Sequence, residues 1–70
     1  MAEDPVYKQI ELTGTSKESL EKAIQSAVVK AANTVHGLRW FEVTEIRGAV
    51  EGSDVSQWQV TAKIGFVVDD

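Results

Sequence analysis

Three segments of the chain alternate between apolar and polar residues, and one segment repeats apolar residues at helical spacing. Residues 6–13, 39–50 and 55–68 show the alternation of half-buried strands, although Lys8 departs from it in the first. Between the first two strands, apolar residues recur at steps of three and four: Leu20, Ala23, Ile24, Ala27, Val28, Ala31 and Val35. The pattern therefore predicts strand, helix, strand, turn and strand.

Local signals predict both ends of this helix. Thr15 and Glu18 have the spacing of a capping box, and Ser16 is an alternative cap. Gly37 directly follows His36 and is typical of a left-handed C-cap. These signals predict a helix of about 20 residues and ~30 Å, which is long for so small a domain.

The lengths of the elements predict how the strands pair. The helix returns the chain to the end where it began, so strands one and two run in the same direction. The turn at residues 51–54 is short, which makes strand three antiparallel to strand two. With strand three in the centre, every ladder is antiparallel. We predict a single α+β domain over residues 1–70, βαββ, whose three-stranded antiparallel sheet partly wraps one long helix. Residues 1–5 are expected to fray.

One helix cannot cover this sheet, because a helix is only ~10–12 Å across. Trp40 and Phe41 are neighbours on strand two and therefore face opposite sides of the sheet. At least one large aromatic ring then faces away from the helix. A sheet face that carries tryptophan is expected to be covered by another subunit, by a ligand, or by both.

Composition favours association with other copies of the chain. Of its 70 residues, 43% are hydrophobic and 26% are charged, and none is cysteine. A domain of this size buries only ~60% of its unfolded surface, and it has no disulfide or thiolate–metal site to stabilise it. We therefore expect a homo-oligomer.

Charge and spacing argue against several classes of function. Eleven acidic residues outnumber seven scattered basic ones, so nucleic acid is not an expected partner. No apolar run is long enough to span a membrane, and the cytoplasm is the expected compartment. His36 is the only histidine and no metal-ligand spacing occurs, so we predict neither a catalytic triad nor a metal site. Alternation places Glu42 and Glu45 on opposite faces, which argues against a catalytic carboxylate pair.

Several groups of residues carry a family resemblance. They are Gly14-Thr15-Ser16 before the helix, Trp40-Phe41-Glu42-Val43 on strand two, Glu45-Ile46-Arg47-Gly48 after it, and Gln59-Val60-Thr61 with Lys63-Ile64-Gly65-Phe66 on strand three. As a set they resemble the dodecins, a family of small flavin-binding proteins, over residues 6–68. The resemblance implies a hollow assembly of twelve βαββ subunits that binds riboflavin or its phosphates non-covalently. It also implies storage, buffering or protection of flavin rather than catalysis.

The resemblance further implies a binding site. Trp40 matches the tryptophan that stacks on the isoalloxazine ring of flavin, and Gln59 matches the glutamine that hydrogen-bonds the polar edge of that ring. Glu45 falls where some dodecins place a carboxylate near the ribityl chain, and Arg47 matches an arginine near the pocket of bacterial members. Trp58 departs from the family pattern, because many members have tyrosine or phenylalanine at this position. Since indole is larger, the difference is expected to affect the packing of the pocket wall.

The residue types suit this chemistry, and each also has a structural interpretation. Indole is an electron-rich surface for the electron-poor flavin ring, whereas Trp40 could instead pack in the core or between subunits. The Gln59 carboxamide offers a donor and an acceptor to the flavin edge, or else lies in solvent. Arg47 could pair with a flavin phosphate or with a carboxylate of another subunit. Glu45 could accept from the ribityl chain or carry an interface charge.

The residues and the resemblance together predict flavin storage, buffering and photoprotection. Riboflavin or FMN is the expected ligand, FAD is possible, and a homo-dodecamer holds the flavin at its subunit interfaces. Two alternatives stay open. One is a small flavin-dependent oxidoreductase, although 70 residues show no nucleotide-binding fingerprint for a second substrate. The other is a structural assembly that binds another nucleotide, such as coenzyme A.

Overall fold

The computed structural model describes residues 4–68, which form the predicted order of elements. β1 spans Tyr7–Ser16, α1 spans Leu20–Ala32, β2 spans Leu38–Glu51 and β3 spans Asp54–Val67. The strand order is β1-β3-β2, and both pairings are antiparallel. The α+β class, the βαββ order and the central position of β3 are confirmed. Of residues 1–5, which are predicted to fray, the first three lie outside the described residues.

The β2–β3 hairpin is longer than the rest of the sheet and makes the chain elongated. Each of its strands has 14 residues, whereas β1 pairs with β3 only between Trp58 and Val67. The far end of the hairpin therefore has no third strand beside it, and the molecule measures 59 × 20 × 14 Å. Gly52 lies in the tight turn of this hairpin, and its φ of +65° is the left-handed conformation that such turns favour.

Small side chains allow α1 to lie close to the sheet. The buried apolar residues come from one stripe of the helix and from alternate positions of β3: Ala23, Ala27, Ala31, Val60, Ala62 and Ile64. Gly14 of β1 lies directly against the helix. A Cβ atom on Gly14 would collide with the carbonyl oxygen of Ala23 and lie 3.0 Å from Cβ of Ala27. The closest approach of helix and sheet therefore depends on a residue without a side chain.

The helix covers β1 and β3 but hardly touches β2. Apolar side chains on the helix-side face of β2 are consequently exposed, including Phe41 at 50% and Ile46 at 57%. This exposure agrees with the expectation that one helix leaves part of the sheet bare. An apolar surface of this kind is typical of contacts between subunits.

The helix ends earlier than the sequence pattern predicts. It has 13 residues and ends at Ala32, so Val35 belongs to the connection and not to the helix. Residues 33–35 have low helix propensity, because their side chains are β-branched or compete for backbone hydrogen bonds. Gly37 is therefore not the C-cap. With a φ of +76° it turns the chain toward β2, and its carbonyl accepts a hydrogen bond from the N–H of Val67 at 3.1 Å.

The helix also begins later than predicted. β1 continues through Thr15 to Ser16, so the proposed capping box does not form. Ser19 is the N-cap, and its hydroxyl accepts a hydrogen bond from the N–H of Lys22 at 3.1 Å. The Ser16 hydroxyl accepts from the N–H of Glu18 at 2.9 Å and stabilises the turn before the helix. Three hydroxyl side chains within residues 15–19 each have a plausible capping position, and only the length of β1 distinguishes them.

Substitution of Gly14 by alanine tests the close contact between α1 and β1. The added methyl group meets helix backbone, which cannot yield without a shift of the helix. We expect the free energy of unfolding to fall by about 1–3 kcal/mol, measured by chemical denaturation.

The matched control for this prediction is Gly52→Asn. A Cβ atom at Gly52 would have no atom within 4 Å, and asparagine tolerates the left-handed backbone. We expect its unfolding free energy to stay within about 0.5 kcal/mol of the parent chain. Equal losses in the two variants would contradict the tight contact at Gly14.

Candidate functional site

Trp40 lies on the sheet face opposite to α1, where two neighbours hold its indole ring. It pairs with Gly65 of β3, and a Cβ atom on that glycine would lie 2.6 Å from Cη2 of the indole. Tyr7 of β1 meets the indole edge-on, with ring centroids 4.9 Å apart and an angle of 73° between the planes. Trp40 nevertheless remains 38% exposed. The indole is therefore held in place while part of its surface is open to a ligand.

Glu45, Arg47 and Gln59 lie together on this same face and form a hydrogen-bonded group with Gln57. Arg47 pairs with Gln59 across the β2–β3 ladder, and its Nε donates to Oε1 of Gln59 at 2.6 Å. Its Nη1 donates to Oε1 of Glu45 at 3.1 Å. Nε2 of Gln59 donates to Oε1 of Gln57 at 2.9 Å. We call these four residues the polar cluster. Gln57 is missing from the sequence prediction, although it shares the alternation of Gln59.

An unpaired residue in β2 places Trp40 and the polar cluster on the same face of the sheet. The register shifts between Val43 and Glu45, so Thr44 has no partner on β3. The Thr44 hydroxyl donates to the carbonyl oxygen of Thr61 at 3.2 Å, across the bulge. If Thr44 were paired as in a regular strand, Trp40 and Glu45 would face opposite sides, because their separation along the chain is odd.

The bulge overturns one expectation about the acidic residues. Alternation predicts that Glu42 and Glu45 face opposite sides, but their partners on β3 are Lys63 and Thr61, which share a face. Both carboxylates therefore lie on the face away from the helix, and the argument from alternation against a carboxylate pair is wrong. Glu45 is instead engaged in an ion pair with Arg47.

Trp40 and the polar cluster are far apart within one chain. Gln59 lies six positions before Gly65, the partner of Trp40 on β3. At the rise of a β-strand this separation is about 20 Å. A ring stacked on Trp40 therefore cannot touch Gln59 of the same chain. Contact of both residues with one ring requires two copies of the chain.

Trp58 lies on the opposite side of the sheet from Gln59. It is half-buried and pairs with Ser16 of β1 and Gly48 of β2. Alternation from buried Val60 places it on the helix-side face. Within one chain, the indole at this position therefore packs behind the sheet and does not line the face that carries the polar cluster.

An open groove of about 210 Å³ lies between α1 and the start of β2. Its lining is mainly apolar: Val28, Leu38, Arg39, Trp40, Phe41 and Ile64. No member of the polar cluster reaches it. Within residues 4–68, no three or more histidine, cysteine or acidic side chains come together as they would around a metal ion. No helix in this described part is long and apolar enough to cross a membrane.

These features define a class of protein: a small βαββ subunit with an exposed tryptophan and a polar cluster on the bare face of its sheet. The family model for dodecin matches residues 6–69. A dodecin from Thermus thermophilus is 48% identical over 65 residues, which cover 93% of this chain and 94% of that protein. The chain belongs to the dodecin family.

Solved structures have the same fold. A Thermus thermophilus protein is 46% identical with a TM-score of 0.91, and the match covers 96% of this chain and 98% of that one. The dodecin from Streptomyces coelicolor is 38% identical with a TM-score of 0.92, and the match covers 99% of each chain. Dodecins are small flavin-binding proteins that assemble as dodecamers. Family membership thus places this chain, in general terms, among flavin-binding proteins that form homo-oligomers.

Gly65→Ala tests whether the indole of Trp40 rests on that glycine. The added methyl group displaces the ring, so we expect Trp40 to become more accessible to solvent. A Trp58→Phe background leaves Trp40 as the only tryptophan. We expect acrylamide to quench its emission more strongly after Gly65→Ala, and Gly52→Asn in the same background to leave quenching unchanged. Equal quenching in all three proteins would show that the ring does not depend on Gly65.

Proposed function

We propose that this protein binds riboflavin or FMN non-covalently and stores it at the subunit interfaces of a homo-dodecamer; FAD is an allowed ligand. The observation that carries the proposal is the exposed Trp40 indole, which Gly65 and Tyr7 hold in place. Membership of the dodecin family supports flavin as the ligand class. The cytoplasm remains the expected compartment.

Trp40 supplies the stacking surface in this proposal. The isoalloxazine ring is flat and electron-poor, and indole is electron-rich. By analogy with nucleobases on aromatic side chains, one such contact contributes about 1–3 kcal/mol. The contacts with Gly65 and Tyr7 restrict the indole before any ligand arrives. Little conformational entropy is then lost on binding, which favours affinity.

Gln59 recognises the polar edge of the ring in this proposal. Its carboxamide uses one lone pair and one N–H within the polar cluster, which leaves one acceptor and one donor. The pyrimidine edge of flavin offers a matching alternation of carbonyl oxygens and an N–H group. Because Gln59 lies about 20 Å from Trp40 along the sheet, the two contacts come from different copies of the chain. Glu45 and Arg47 join the proposed site through their bonds within the polar cluster.

Storage is preferred here to catalysis. The proposed residues offer stacking and hydrogen bonds to a flavin, and none of them is assigned to a reacting atom. An oxidoreductase would also need a site for a second substrate. Steady consumption of NADH that depends on both protein and flavin would favour that alternative. An assembly that purifies colourless and ignores added flavin would favour a structural role or another nucleotide ligand.

Titration of riboflavin fluorescence with purified protein tests the proposed pocket. We expect saturable quenching by the parent chain, because a stacked indole quenches the flavin, and loss of quenching in Trp40→Ala. Trp58→Phe is the matched control, since it changes the other tryptophan on the opposite face, and it should quench as the parent does. Absence of quenching by the parent chain would refute flavin storage.

Photoprotection is tested by the excited-state lifetime of bound riboflavin. We propose that the Trp40 indole donates an electron to the excited flavin and recovers it, so that the excitation is lost as heat. We expect a bound lifetime far shorter than that of free riboflavin. Trp40→Phe keeps a stacking ring but removes the good electron donor, so the lifetime should lengthen while binding persists. A bound lifetime equal to that of free riboflavin would contradict this role.

A further inference from the structure

The shortest polar contact of Arg47 is with an amide and not with an acid. Its Nε lies 2.6 Å from Oε1 of Gln59, whereas its Nη1 lies 3.1 Å from Oε1 of Glu45. Nε2 of the same Gln59 amide donates to Gln57 at 2.9 Å. Both ends of the Gln59 carboxamide are therefore held by neighbours on the sheet.

These bonds determine the direction of the Gln59 amide. Arginine can only donate hydrogen bonds, so the group that faces its Nε–H must be the amide oxygen. A flipped amide would place an NH₂ group against the Arg47 N–H. The orientation matters for a flavin, because the donor and acceptors along its polar edge have a fixed order. A flipped amide would present the wrong order to the ring.

The charge of Arg47 is already compensated. Glu45 pairs with Nη1, and Gln59 occupies Nε, so two sides of the guanidinium are engaged within the polar cluster. A flavin phosphate at this position would meet a neutral ion pair and not a free cation, which weakens the attraction. These contacts of Arg47 therefore suit it better to hold the Gln59 side chain than to bind a flavin phosphate.

We propose that Arg47 is a positioning residue that orients the Gln59 carboxamide toward the flavin ring, and that it is not a ligand of a flavin phosphate. The inference rests on the proposed flavin site and adds a statement about ligand preference. Because Arg47 acts on the ring, which all flavins share, it contributes as much to binding of riboflavin as to binding of FMN.

Two substitutions of similar shape separate positioning from phosphate binding. Arg47→Met keeps the side-chain stem but removes both the donor and the charge. Arg47→Gln also removes the charge, yet its Nε2 follows Cδ just as Nε does in arginine, so a neutral N–H donor can still reach Gln59. Affinities of the flavin-free assembly for riboflavin and for FMN are measured by fluorescence quenching in each protein.

We expect Arg47→Met to lower the affinities for riboflavin and for FMN by the same factor, about tenfold for the loss of an oriented hydrogen bond. Arg47→Gln should recover most of the affinity for both ligands. In a Gln59→Ala background, where Trp40 still binds the ring, Arg47→Met should cause no further loss, because the two residues act through one contact.

Two outcomes would overturn the inference. One is a loss confined to FMN, which would identify Arg47 as a phosphate ligand. The other is a loss for both flavins that persists in the Gln59→Ala background. If size-exclusion chromatography shows that Arg47→Met does not assemble, Arg47→Gln alone carries the test, because it removes the charge and keeps an N–H donor: unchanged affinity for both flavins supports the inference, and a loss confined to FMN overturns it. Failure of the flavin site itself is distinguishable, since the parent chain would then not quench riboflavin.

Discussion

The unpaired residue Thr44 determines which side chains of β2 can act together. In a regular strand, Trp40 would face one side of the sheet while Glu45 and Arg47 faced the other. One extra residue reverses the alternation, and all three then share the face away from the helix. The hydrogen bond from the Thr44 hydroxyl to the carbonyl of Thr61 spans this irregularity. Bulges often redirect side chains next to binding sites, and here the whole candidate surface depends on one.

The elongated shape of the sheet separates the two halves of that surface. Trp40 lies near one end of the β2–β3 ladder, and the polar cluster lies nearer the hairpin turn. The helix lies over β1 and β3 and hardly touches β2, so helix-side apolar residues of β2, such as Phe41 and Ile46, stay exposed. In the proposed assembly, other copies of the chain cover the exposed apolar surface and bring the Trp40 end of one chain next to the polar cluster of another.

The sequence predicts the topology well because topology depends on lengths and parity, which are visible along the chain. The ends of the helix were harder to predict. Ser16 and Ser19 compete as caps, and the low helix propensity of residues 33–35 outweighs the apolar spacing that continues to Val35. The family resemblance identifies the candidate site residues in the sequence, but it does not predict the distances and contacts between them. The support of Trp40 by Tyr7 depends on the register across two ladders, which no local pattern reports.

Flavin binding and assembly are linked if one flavin contacts Trp40 of one subunit and Gln59 of another. A ligand that binds only the assembled form stabilises it by mass action, in proportion to the logarithm of ligand concentration over dissociation constant. The linkage is reciprocal, so any substitution that weakens the subunit contacts also weakens flavin binding without touching the ring. Affinity alone therefore does not identify a ligand contact in this protein. Comparison of two flavins that differ only in their phosphate cancels the assembly contribution, because both ligands bridge the same subunits through the same ring.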